Sequence, residues 1–172
     1  MKTAIWYVLN VGITTAHRND TLNESGNIGT ERMKAVNQSV VSDKNGNCHA
    51  ACLACLLELP MESMPDFFVD TPPNAYQRRT DWLQERGFQE AYFLVGSFPP
   101  PHGWAILSVK SATFPGSLHS VVWDGERTGW GKIVHNPNPQ DPRGIEIPNE
   151  DWVGFWVLAP LDPKTSIQYM KG

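Results

Sequence analysis

A chain of 172 residues with 41% hydrophobic and 19% charged residues is long enough to bury one core without disulfides or metal, and too apolar to stay disordered. Its formal net charge of −4 gives no general attraction to nucleic acid or to anionic membranes, so neither is expected as a partner. Three cysteines confined to one short segment do not make the framework of a secreted disulfide-rich domain, which points to a reducing, cytoplasmic setting.

From the N-terminus, Lys2 to Ala16 has the outline of a secretory signal, with one basic residue, an apolar run and a small residue at its end. Asn10 interrupts the run, the cleavage pattern is poor, and the stretch is too short and polar to span a membrane. Ile5–Val11 reads better as a buried strand, and the polar stretch His17–Arg32 as a loop. Residues 1–32 are therefore expected to be an N-terminal extension, and 33–172 the main domain, restarting at Met33.

After the turn signal Asn45-Gly46-Asn47, an apolar helix is predicted from Cys48 up to Pro60. Cys48, Ala51, Cys52, Cys55, Leu56 and Leu59 form one stripe along it, taken as its core-facing side. A second helix is predicted over Ala75–Arg86, ended by Gly87. Beyond it the pattern changes to short β-rich runs at Ala91–Val95, Trp104–Val109, His119–Trp123, Lys132–His135 and Trp152–Leu158, separated by Pro/Gly turns. Helices followed by strands indicate an α+β fold, with the first helix packed on an antiparallel sheet.

Cys48 stands at the helix start, where unpaired backbone N–H groups and the positive end of the macrodipole stabilise a thiolate. His119 opens one predicted strand and Asn136 ends the next, and the seventeen positions between them fit a hairpin that brings both to adjacent ends. Nucleophile, base and orienter are thus present as Cys48, His119 and Asn136. His135 competes for the role of base, but successive strand side chains point to opposite faces, and it directly adjoins the orienter. Cys52 and Cys55 are expected to be structural core thiols, and His49 and His102 surface or loop residues.

This layout resembles the papain-like cysteine hydrolases. The segments Met33-Lys34-Ala35-Val36-Asn37-Gln38, Gly46-Asn47-Cys48-His49-Ala50-Ala51-Cys52, Leu59-Pro60, Leu118-His119 and Ile133-Val134-His135-Asn136-Pro137 are similar to those of small bacterial and phage proteins described as papain-like or bacteriocin-processing-peptidase-like. The resemblance spans about residues 33 to 160 and implies a papain-like core acting on a peptide or protein substrate without a cofactor, in a bacterial cell or phage-infected host. It also implies that the Cys48 N–H and the Gln38 amide hold the oxyanion. Asn136 departs from the Asp expected in that group, and so holds no charge with which to stabilise an imidazolium.

Two other classes stay open. One is a catalytically inactive papain-like binding module. The other is a metal protein: Cys48-x3-Cys52-x2-Cys55 has the spacing of the cluster-binding cysteines of radical S-adenosylmethionine enzymes, although an apolar helix cannot easily wrap a cluster or surround a zinc ion.

Overall fold

The computed structural model describes residues 21–22, 28–29, 33–65, 67, 72–125 and 131–162. The predicted strand Ile5–Val11 lies outside the described residues. In the stretch expected to be loop, strands β1 (Thr21–Leu22) and β2 (Ile28–Gly29) form a short antiparallel pair. Helices α1 (Cys48–Leu56) and α2 (Pro72–Gln84) come next, then β3 (Phe88–Leu94), β4 (Gly103–Lys110), β5 (Leu118–Gly125), β6 (Lys132–His135) and β7 (Trp152–Pro160). The last five strands make one antiparallel sheet in the order β3-β7-β4-β5-β6. The chain is an α+β protein, as its order of periodicities predicts.

Helix α2 begins three residues before its predicted start. Proline is compatible with a first helical turn, because the N–H it lacks has no intrahelical acceptor there. The turn after α2 closes at Gly87, whose φ of 78° lies in the left-handed region and whose N–H reaches the Gln84 carbonyl.

The sheet is covered on both faces. On one, Leu53 and Ala54 of α1, Leu83 of α2 and Phe67 from the segment between them pack against Phe88, Ile106 and Val122. On the other, Leu107, Val109, Val121, Trp123, Phe155 and Val157 form a second cluster, joined by Ile147 and Trp152. The rings of Trp123, Trp152 and Phe155 meet edge to face there, and the Trp123 indole donates to the Pro101 carbonyl. A side chain at Gly125 would overlap that same carbonyl, so the end of β5 admits only glycine.

The predicted stripe on the first helix understates its burial. His49 through Cys55 are all buried, so α1 has no solvent face, as an apolar run without polar relief requires. His49, expected on the surface, is therefore in the core. Its Nε2 donates to Glu90 Oε1 at 2.8 Å. Glu90 Oε2 in turn lies 2.7 Å from Arg79 Nε, an ionic contact whose N–H is not aimed along it. The Arg79 guanidinium lies 4.6 Å from the centre of the Trp156 ring. This buried trio ties α1, α2 and the edge strand β3 together.

Burial drives the His49 imidazole below its ordinary range, and the nearby Arg79 charge adds to this against the pull of Glu90. Burial alone would raise Glu90, but the His49 hydrogen bond and the Arg79 charge outweigh it and hold the carboxyl below its usual range. In both cases the folded protein disfavours the proton, so stability is present above the unfolded pKa and is lost on acidification. Glu90→Gln is expected to cost about 3–5 kcal/mol in denaturant unfolding at neutral pH, because it strands the Arg79 charge. The stability gap between wild type and His49→Gln should narrow as pH falls below about 6.5, and a constant gap would contradict a neutral buried His49.

Candidate active site

The turn before α1 is closed tightly. A side chain at Gly46 would overlap the Ser42 carbonyl, and the Asn47 N–H donates to the Val40 carbonyl. The Asn47 side chain does not cap the helix. It turns back, with Oδ1 accepting from the Ser39 and Val40 N–H groups at 3.1 and 3.0 Å and Nδ2 donating to Ser39 Oγ. The first turn of α1 thus keeps its N–H groups free of a side-chain cap where Cys48 stands, the environment expected to favour a thiolate.

Strand β6 leaves the ladder at His135, opposite Val122, so the first residues of β5 extend beyond it. There His119 is held between two partners. Its Nε2 donates to Asn136 Oδ1 at 2.8 Å, and the Cys48 thiol is the second group that acts on it. With Nε2 occupied, Nδ1 is the nitrogen left for the sulfur. Asn136 can face only one way, because its Nδ2 donates to the Gly144 carbonyl at 2.7 Å while its Oδ1 also accepts the Asn138 N–H. This fixes the imidazole tautomer. Cys48, His119 and Asn136 are therefore brought together, with the imidazole between the thiol and the amide.

His135 is elsewhere. It donates from Nε2 to the Val36 carbonyl at 2.8 Å, and the Val36 N–H donates to Cys55 Sγ at 3.2 Å. The pair fastens the incoming segment to α1 and β6. Gln38 belongs to the same segment: its backbone N–H bonds to the Pro137 carbonyl, and its side-chain Nε2 donates to the Val40 carbonyl at 3.1 Å. One amide proton of Gln38 is thus engaged beside the Asn47 N–H, next to the residue that precedes Cys48.

The three thiols differ sharply. Burial pushes Cys48 up, but the hydrogen bond and charge of His119 outweigh it, aided by the N–H and hydroxyl of Ser120, and the net direction is down. Burial likewise opposes protonation of His119, yet its contacts with Cys48 and Asn136 and the charge of Asp141 carry it above the ordinary imidazole range. Burial raises Cys52 well above a normal thiol, with its neighbouring cysteines adding to the effect. It also raises Cys55 despite the Val36 backbone contact. Among the described residues, no three His, Cys, Asp or Glu side chains are grouped to hold a metal ion.

Sequence reasoning missed two residues here. Ser120, beside His119, is among the groups that lower the Cys48 thiol. Asp141 contacts the Asn136 side chain and is clasped by Arg143, whose Nε and guanidinium nitrogen lie 3.0 and 2.8 Å from its two oxygens. Burial raises the Asp141 carboxyl, and the Arg143 and Asn136 bonds more than reverse it. An Asn-Pro-Asn-Pro-Gln-Asp run looks like a simple polar turn, so only the turn's closure onto Asn136 reveals the carboxylate.

Compared with protein-family models, curated proteins and solved structures, the chain matches none. No helix among the described residues is long and apolar enough to cross a membrane.

An alkylating probe such as iodoacetamide should label Cys48 first near neutral pH, with Cys52 and Cys55 reacting only on unfolding. His119→Ala should move the Cys48 labelling profile to higher pH, and His135→Ala should spare it. Equal labelling of all three cysteines would refute the assignment. Asp141→Asn should lower the His119 pKa followed by NMR, because the raising charge is removed while the amide contact can persist. An unchanged imidazole titration would show that the carboxylate acts only structurally.

Proposed function

We propose that the protein is a papain-like cysteine hydrolase acting on an amide, peptide or isopeptide bond of a peptide or protein substrate in the cytoplasm of a bacterial or phage-infected cell. The observation that carries this reading is the contact of Cys48, at the start of a buried helix, with a His119 whose far nitrogen is oriented by Asn136. His119 takes the Cys48 proton, and the thiolate forms a bond to the acyl carbon. The amine leaves with the proton returned by His119, and water, deprotonated by His119, then attacks the thioester, breaking the C–S bond to release the carboxylic acid and the Cys48 thiolate.

The oxyanion would sit at the first turn of α1, held by the Cys48 N–H and by the second amide proton of Gln38, the first being spent on Val40. Asn136 supplies orientation without charge. Asp141 supplies the charge from one contact further out, which offsets the departure from the expected Asp.

The test is acylation by an activated ester such as p-nitrophenyl acetate. Wild-type protein should release a burst of p-nitrophenol and carry one acetyl group on Cys48 by mass spectrometry, and Cys48→Ala should do neither. Gln38→Ala should cut turnover by about a hundredfold while leaving Cys48 alkylation unchanged, because alkylation builds no oxyanion. Reactive Cys48 without acyl turnover would favour the binding-module alternative.

A further inference from the structure

Acyl transfer as described uses His119 and leaves a second set of buried polar groups beside the nucleophile unexplained. Ser120 is 7% exposed, and its backbone N–H and hydroxyl are among the groups that lower the Cys48 thiol. Ser120 Oγ also lies 3.4 Å from His49 Nδ1. Because His49 Nε2 donates to the Glu90 carboxylate, its Nδ1 is left bare as an acceptor. Arg79 closes the chain behind Glu90. The sulfur therefore faces His119 and Ser120 on β5 and the thiol of Cys52 on its own helix, with His49 and Glu90 behind Ser120 and Asn136 and Asp141 behind His119.

A hydroxyl has one proton and two acceptors here. A charge-assisted bond to a thiolate is stronger than a 3.4 Å contact to a neutral ring, so the proton goes to sulfur while the sulfur is charged. Once the sulfur is acylated it becomes a poor acceptor, and the hydroxyl can turn to His49 and keep an acceptor.

Building on the reading of Cys48 as nucleophile, we propose that Ser120 is a further member of its site, donating its hydroxyl and N–H to the thiolate, with the Glu90-anchored His49 as the alternate acceptor that receives the hydroxyl when the sulfur carries an acyl group. Sequence gives no hint of this, because His49 and Ser120 are 71 positions apart.

The measurement is the pH profile of Cys48 alkylation in the full-length protein, supported by thermal unfolding to show that each variant is folded. Ser120→Ala keeps the backbone N–H and should lower the alkylation rate on the acid side of the profile by about tenfold, with rates converging at alkaline pH where the thiol is fully ionised. Ser120→Thr retains the hydroxyl and should restore most of the acid-side rate. A Ser120→Ala profile superimposable on wild type overturns the proposal while leaving the hydrolase reading intact. A wild-type Cys48 that shows no preferential reactivity overturns both.

Discussion

Helix α1 is enclosed on every side: seven of its nine residues are buried, between the sheet and the segments around Met64 and Phe67. A helix without a free face cannot slide or rotate without opening cavities, and each buried Leu-sized gap costs about 2–5 kcal/mol. The position of its first residue is therefore set by the packing of all the rest. That enclosure imposes two polar demands. His49 must find a partner inside the core, which Glu90 and Ser120 meet, and the segment before the helix must pin its backbone, which Asn47 does by turning its side chain away from the helix. The second demand leaves the helix start free of a side-chain cap for the chemistry of Cys48.

How far the sequence discloses this depends on the range of the interactions. The five strands of the main sheet were legible from alternation and turn residues, and β6 was located residue for residue at Lys132–His135. Cys48 was legible because helix starts have local signatures, and the His119–Asn136 contact because a hairpin is the simplest connection across seventeen positions. The all-round burial of α1 had a local signal, since Ala50, Leu53, Ala54 and Leu57 are apolar off the stripe, and weighting the stripe concealed it. His49 was misplaced for a different reason. A histidine in an apolar run is a surface or a paired residue according to whether a carboxylate arrives from elsewhere, and Glu90 comes from a strand 41 positions away.

The corner after β6 shows how chemistry can shift between neighbouring positions. An Asp at 136 would set a carboxylate against the Gly144 carbonyl, which now accepts the Asn136 amide, and beside the carboxylate of Asp141. Two carboxylates in contact cannot both stay ionised at ordinary pH, and the gain in charge would be lost to protonation. With Asn at 136, the amide satisfies the carbonyl, orients His119 and touches the buried carboxylate behind it. Arg143 anchors that carboxylate and reaches on to Asp151 at 2.9 Å, so the charges alternate outward from the imidazole.

On the other side of Cys48 the arrangement has the same length and a different charge pattern. Ser120 and His49 are both neutral, and the first charges met are Glu90 and Arg79, which compensate each other. If His49 were protonated, a second cation near the sulfur would stabilise the thiolate independently of His119, and in the proposed mechanism the proton would have less tendency to return from imidazolium to leaving group. Burial and the Arg79 charge prevent this by holding His49 below its ordinary range. His119 is then the one titratable cation in contact with Cys48 among the described residues, so thiolate formation and imidazole protonation remain a single exchange. The proposed acid–base mechanism needs that condition, because a base that gives up its proton too reluctantly cannot act as the acid in the next step.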